Sequence, residues 1–315
     1  MTENLATEHP APHGMLSGNA KGILFMLFSA AAVSGMTGVI RYLSETLHPF
    51  EIAFFRNFFG LVFLTPMVLQ AGTRHLRTSK APFLVARGLL SAIAMLCYFY
   101  GVSIAPLAEV TALSFMGPLF ATIFAVLILR EKLHLRRTVA LIIGFCGALI
   151  ILRPGFQEIG LGSILILCSA AAWSICMIII KVLTRTESSV TQSVYTALVL
   201  APITGLAAIA EWQWPSLMQL FWLAVMAGLG TVGQLAFTES FKAAELTTVL
   251  PLDFTKLIWA SLIGYLIFAQ MLDIWVLVGG TVIFAAATYI SIREARINAQ
   301  KTKQQTQPPD NRESE

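Results

Sequence analysis

Long apolar stretches run through the chain and are interrupted at regular intervals by short polar or Gly/Pro-bearing connectors. Ten stretches stand out, at about 22–40, 51–71, 82–102, 107–129, 137–152, 162–181, 190–210, 218–238, 246–269 and 273–292. Most approach the roughly 20 residues that a helix needs to cross a hydrocarbon core. The fifth is short, and the ninth carries two charges, Asp253 and Lys256. Hydrocarbon offers the backbone no water to bond, so each stretch is predicted to be a helix. The pattern therefore predicts an all-α integral membrane protein of ten transmembrane helices. A tail of residues 1–20 precedes them, and a Gln-, Lys- and Pro-rich tail of residues 293–315 follows, expected to be disordered.

Composition agrees with that reading. Hydrophobic residues make up 57% of the 315 positions and charged residues 12%, against roughly 25% charged in an average globular protein. So few charges cannot cover a soluble surface, and lipid must be the solvent. The net charge of +4 reflects the Lys/Arg bias of cytoplasmic loops and implies no nucleic-acid partner. Placing the N-terminus inside assigns sixteen Lys and Arg to cytoplasmic segments and two, Arg41 and Arg153, to the outside. That asymmetry predicts both termini in the cytoplasm and an even number of spans. Residues 1–20 lack a basic start followed by an apolar core, so the first span is expected to direct insertion. Cys97, Cys146, Cys168 and Cys176 lie inside apolar runs without metal-ligand spacing, so neither a disulfide nor a metal is expected. No cofactor is implied.

The sequence repeats itself. Gly22–Ser34 and Gly162–Ser174 share seven of thirteen residues. The same offset pairs Arg41 with Lys181 and Phe55 with Tyr195; a slightly shorter one pairs Ala108-Glu109 with Ala244-Glu245 and Gly144 with Gly280. Each unit then holds five spans, residues 21–153 and 160–292. An odd number of spans inserts the second unit upside down, and inverted repeats of this kind are characteristic of transporters.

Charges within the spans are the first candidates for a substrate site, since a charge at the bilayer centre costs at least about 2.5–3.5 kcal/mol on insertion scales. Arg56 and Arg87 either snorkel to head groups or line a path. Asp253 and Lys256 share a helical face, as a mutual structural pair or as cavity groups. Gln234 and Glu239 are secondary candidates, while Glu109 and Glu245 fall near span ends. Trp173 and Trp259 sit away from the interfaces, as walls suited to a planar ring, and Tyr100 closes the third span. Pro118 and Pro251 remove helix hydrogen bonds in comparable stretches of the two halves. Broken helices in matching halves point to a transport site or to tolerated kinks.

These residues resemble a known family. Gly117-Pro118-Leu119-Phe120 through Leu129-Arg130-Glu131-Lys132-Leu133 and on to Leu152-Arg153-Pro154-Gly155 is similar to the EamA domain of the drug/metabolite transporter superfamily. A second copy runs from Ala244-Glu245 through Pro251-Leu252-Asp253-Phe254-Thr255-Lys256 to Gly279-Gly280. The resemblance implies two inverted five-helix repeats around a central cavity and no enzymatic activity. The family's acidic residue after the fourth span is present as Glu131, but its counterpart in the second copy is Gln270. Leu47 to Arg56 and Arg87-Gly88-Leu89-Leu90 resemble the branch that contains S-adenosylmethionine carriers and bacterial riboflavin transporters. The expectation is a secondary carrier of the bacterial inner membrane, acting as monomer or homodimer among membrane lipid. Riboflavin uptake leads, with S-adenosylmethionine, an amino acid or export as alternatives and a membrane-embedded enzyme as a remote one. Arg56, Arg87, Tyr100, Trp173, Gln234, Asp253, Lys256 and Trp259 are the candidate substrate-binding residues.

Overall fold

The computed structural model describes residues 18–71, 80–129, 135–153, 158–183, 189–243, 250–271 and 273–306. Glu131, Glu245, most of the N-terminal tail and the last residues of the C-terminal tail lie outside them. Among the described residues the secondary structure is entirely helical. The helices are α1 (Gly18–Leu43), α2 (Pro49–Ala71), α3 (Ala81–Ile104), α4 (Leu107–Ser114), α5 (Gly117–Leu129) and α6 (Leu135–Leu152). The second half contributes α7 (Leu161–Leu183), α8 (Ser189–Ala208), α9 (Leu217–Ala243), α10 (Thr255–Phe268) and α11 (Ile274–Thr306). Five segments combine the length and hydropathy for a membrane crossing: Ala20–Leu43, Ala81–Ile104, Leu107–Phe124, Leu161–Ile179 and Leu217–Phe237. Thr138–Leu152, Tyr195–Glu211 and Ile274–Ile290 are shorter and apolar.

One predicted span is broken, and another opens irregularly. Pro118 has no N–H to give, and its ring opposes the carbonyl of Ser114, which weakens a continuous helix there, although α8 runs on through Pro202. The chain leaves α4 there through tight turns, Phe115 N–H to the Ala112 carbonyl (3.2 Å) and Met116 N–H to that of Leu113 (3.0 Å), and restarts as α5. In the second half a 3₁₀ segment, Leu250–Phe254, holds Pro251 and leads into α10. One stretch departs from expectation in the other direction: α11 continues to Thr306, through residues predicted as tail. That segment holds Ala, Glu, Lys and Gln and meets no proline until Pro308, a composition that favours helix.

Eight rods form a closed ring. In order around it, α2 packs on α8, α8 on α3, α3 on α7, α7 on α4 and α5, α4 on α10, α10 on α1, α1 on α9, and α9 on α2. Helices α6 and α11 pair with each other outside the ring, and α11 leans on α4. Their crossing is backbone to backbone. A Cβ on Gly147 would stand 2.8 Å from the Gly279 carbonyl oxygen, and one on Gly279 would stand 2.5 Å from that of Gly147. Only glycine allows such an approach, as in small-residue membrane helix contacts.

Hydrogen bonds of the two halves match. Ser29 Oγ of α1 donates to the Gly233 carbonyl of α9 (2.8 Å), and Ser169 Oγ of α7 donates to the Ala94 carbonyl of α3 (2.7 Å). Ser34 Oγ donates to the Lys256 carbonyl (3.2 Å), and Ser174 Oγ to that of Gly117 (2.7 Å). The four serines are those paired by the repeat in the sequence. Their acceptors keep one constant separation, Ala94 to Gly233 and Gly117 to Lys256. Each half therefore uses the same residues to grip the other.

One end of the bundle, here called the far end, is fixed by contacts between helix ends. Arg153 at the end of α6 forms an ion pair with Asp273 before α11. Gln270 after α10 accepts from the Leu107 N–H at the start of α4 (3.0 Å). Gln219 at the start of α9 reaches Thr46 just beyond α1 (3.0 Å), and Ser163 of α7 donates to Glu109 of α4. The start of α1 and the end of α11 lie at the opposite, near end.

Candidate substrate site

Three ring helices share a graded face. On α2, residues spaced by three or four line up: Ile52 and Ala53 are fully buried, Arg56 is half-buried, Gly60 has open space beside it, and Phe63 is 44% exposed. On α7, Ile166 and Ala170 are buried, whereas Trp173 and Met177, one and two turns further along the same face, are each 44% exposed. On α9, Leu223, Met226 and Ala227 are buried, as is Gly230, and the face then opens at Gln234. In each case the buried part points to the far end and the accessible part to the near end. The ring faces are thus close-packed toward the far end and more accessible toward the near end, which puts the floor of the candidate cavity at the level of Arg56, Gly230 and Ala170.

Arg56 reaches this floor from α2. Its Nη2 lies 3.9 Å from where a Cβ on Gly230 would stand, so the missing side chain on α9 makes room for the guanidinium. No hydrogen bond or ion pair to Arg56 is present among the described residues. Its neighbour Asn57 is engaged through Nδ2, which donates to Thr204 Oγ1 of α8 (3.2 Å) and contacts Met95 Sδ of α3 (3.5 Å). Asn57 thereby ties α2 to α8 and α3.

The other charges lie nearer the open end. Asp253 and Lys256 pair across one helical turn, Nζ to Oδ1 2.5 Å, each about one-fifth exposed. Lys256 Nζ also stands 5.3 Å from the centroid of the Phe237 ring of α9, a cation–π distance. Arg87 is half-buried on α3, and its carbonyl accepts from Cys176 Sγ of α7 (3.7 Å). Glu239 is half-buried near the end of α9.

Two aromatic candidates fall elsewhere. Tyr100 packs on His48 and Phe50, with ring centroids 6.0 and 5.9 Å away, at the far end. Trp259 lies on the side of α10 opposite its packed stripe Leu257, Ala260, Ser261 and Gly264, and is 40% exposed together with Leu262 and Leu266. The helical face, which the sequence leaves open, separates the two tryptophans: Trp173 continues a buried face, and Trp259 does not. Sequence reasoning also passed over Met177, Phe237 and Gly230. Their signal was the repeat, because the first two fall where Thr37 and Tyr98 stand in the first half.

With the ring, its broken helix and its candidate cavity in place, comparison with known proteins is decisive on class. Residues 20–153 and 160–292 each match the EamA-like transporter family. The chain belongs to that family. An S-adenosylmethionine uptake transporter of Rickettsia bellii is 31% identical over 280 residues, 89% of this chain and 96% of that one. A riboflavin transporter of Vibrio cholerae is 30% identical over 281 residues, 88% and 94% of the two chains. A pseudopaline exporter of Pseudomonas aeruginosa is 25% identical over 273 residues, 86% and 95%. One chain of known crystal structure, 18% identical, aligns with a TM-score of 0.58 over 88% of this chain and 98% of its own. It supports the fold alone. The EamA-family chain is thus a multi-pass membrane transporter of a small molecule, and not an enzyme.

Proposed function

We propose that this EamA-family chain is a secondary carrier of the bacterial inner membrane, built from ten spans in two inverted five-span repeats with both termini cytoplasmic. It moves its substrate by alternating access, rocking one repeat against the other around the cavity. The substrate is a metabolite that carries both a carboxylate and a planar ring, and S-adenosylmethionine has that chemistry. The observation that carries this reading is Arg56, a guanidinium at the cavity floor without a counter-charge among the described residues. A charge so placed is expensive, and a substrate carboxylate would neutralise it with a paired, bidentate hydrogen bond. Trp173 offers its face to adenine and its π-system to a sulfonium cation. Asp253, Lys256, Arg87 and Gln234 surround the approach from the near end.

Riboflavin uptake is the second reading. Relatives named for it are as similar as those named for S-adenosylmethionine, and Trp173 would stack an isoalloxazine equally well. Riboflavin carries no anion, so this reading leaves Arg56 to hydrogen-bond carbonyl oxygens alone. Uptake of both radiolabelled compounds into proteoliposomes, each competed by a panel of unlabelled metabolites, separates the two. Saturable S-adenosylmethionine uptake competed by carboxylate-bearing analogues is expected. Riboflavin uptake that ignores those analogues would replace the first reading with the second. Uptake of neither would discard both substrates.

A further inference from the structure

Helices α1 and α3 are not neighbours in the ring; they stand on opposite sides of it, yet they touch. Two contacts span the gap near the far end. Tyr98 Oη and Thr37 Oγ1 are 3.3 Å apart. Arg41 Nη1 donates to the carbonyls of Val102, at 3.3 Å, and Ser103. Those carbonyls belong to the last turn of α3, where no following N–H is available within the helix and the dipole favours a cation. Arg41 and Arg153 are the two basic residues that the charge pattern assigns to the outside.

The repeat relates each of these residues to a partner at the near end. The serine pairs establish the correspondence: α1 maps onto α7, and α3 onto α9. Thr37 then becomes Met177, Tyr98 becomes Phe237, Arg41 becomes Lys181, and the carbonyls of Val102 and Ser103 become those of Phe241 and Lys242 in the last turn of α9. Helices α7 and α9 do not repeat the α1–α3 approach among the described residues. Met177 is 44% exposed, and Phe237 is half-buried under Lys256.

We propose that Arg41, with Tyr98 and Thr37, is a latch that holds the far end shut, and that its mirror image shuts the near end in the opposite state. In that state Met177 closes on Phe237 while Arg41 releases the terminal carbonyls of α3. The latch at one end and the latch at the other are thus alternatives, never both engaged. The proposal rests on the alternating-access reading, and it supplies the residues that read's two states would exchange. The two latches differ chemically: the far one is polar throughout, whereas the near one pairs a thioether with a phenyl ring. Breaking the polar latch therefore tips the ring toward far-end opening.

The test uses the full chain in proteoliposomes, in a background with all four native cysteines replaced by alanine. Thr37→Cys with Tyr98→Cys reports the far latch, and Met177→Cys with Phe237→Cys the near one; a short bifunctional thiol reagent reads each pair. With Arg41 intact, the far pair is expected to cross-link and the near pair to lag. Arg41→Ala should lower the ratio of far to near product by about 5–30-fold, the shift set by losing one or two kcal/mol. Arg41→Lys, which can hold one carbonyl at a time, should give an intermediate ratio and also serves if the alanine variant fails to reach the membrane. A ratio indifferent to residue 41 overturns the latch. These yields need no substrate. An insensitive ratio with uptake intact removes the latch alone, and a responsive ratio with no uptake of any metabolite removes the transport reading alone.

Discussion

Phe115 and Phe254, just before α5 and α10, face each other with ring centroids 6.0 Å apart and planes inclined by 31°. Phe284 of α11 packs on both, at 5.4 and 4.8 Å. The residues keep the same separation in sequence as the serine-bond acceptors, so they are repeat equivalents meeting where the halves join. A proline-broken helix has lost backbone bonds locally and bends there at low cost. An aromatic cluster across the two proline-bearing stretches couples their bending. Phe115→Ala and Phe254→Ala should each lower thermal stability in detergent by about 2–3 kcal/mol, under the roughly 3–5 kcal/mol of a fully buried phenylalanine because both are half-buried. The double variant should cost less than the sum of the two, as expected for residues in contact. Strict additivity would show that the rings act separately.

Arg56→Gln removes the charge at the cavity floor and keeps a hydrogen-bonding group. Losing a charge-assisted bond worth about 1.5–3 kcal/mol raises the half-saturation concentration for a carboxylate-bearing substrate by about 10–100-fold. Arg56→Lys should recover part of it, because the charge returns without the planar fork. Concentration-dependent uptake in proteoliposomes checks the series. Unchanged saturation in Arg56→Gln would take Arg56 off the substrate path.

The two tryptophans should separate by fluorescence. Trp173 lies on the ring-facing side of α7, so bound substrate should quench it, and Trp173→Ala should abolish most substrate-dependent quenching. Trp259 lies away from the packed side of α10 and should instead be quenched by lipids brominated on their acyl chains. Substrate quenching retained in Trp173→Ala and lost in Trp259→Ala would reverse the assignment.

Lys256→Gln leaves Asp253 without its cation, and Asp253→Asn leaves Lys256 without its anion. Each single change should cost about 1–3 kcal/mol, less than a fully buried pair because both groups retain some exposure. The double change Asp253→Asn/Lys256→Gln should recover most of that loss of stability. Thermal unfolding of the four proteins closes the cycle. A double variant as weak as the worse single one would show that the pair serves more than mutual neutralisation.

Much of this was legible in the sequence. Gly22–Ser34 against Gly162–Ser174 announced the repeat, and the structure turned its serines into matching bonds. Arg56 stood out because charges are rare in apolar helices, and Pro118 marked a break that a continuous hydropathy window hides. The direction of Trp259 could not be read. Helical spacing sorts residues into faces, but only the neighbours decide which face looks inward. Tyr100 misled for the same reason, since an aromatic at a span end suits a cavity mouth and an inter-helix contact equally. Arg41 was counted as a topological charge because its partners are main-chain carbonyls, which no residue pattern reveals. The helical stretch of α11 beyond residue 292 is hard to read because its Gln-, Lys- and Pro-rich composition also fits a disordered tail.

The crossed serine bonds have the form of a two-fold interface. Ser29 in the first half binds a carbonyl of the second, and Ser169 in the second binds a carbonyl of the first. Neither half satisfies this bond by itself. Reciprocal contacts of that form, residue i to j and j to i, are what a two-fold pair of identical subunits makes. The present chain holds a two-fold interface of that form within one molecule, and Arg41 against Lys181 and Tyr98 against Phe237 are positions where its two halves differ.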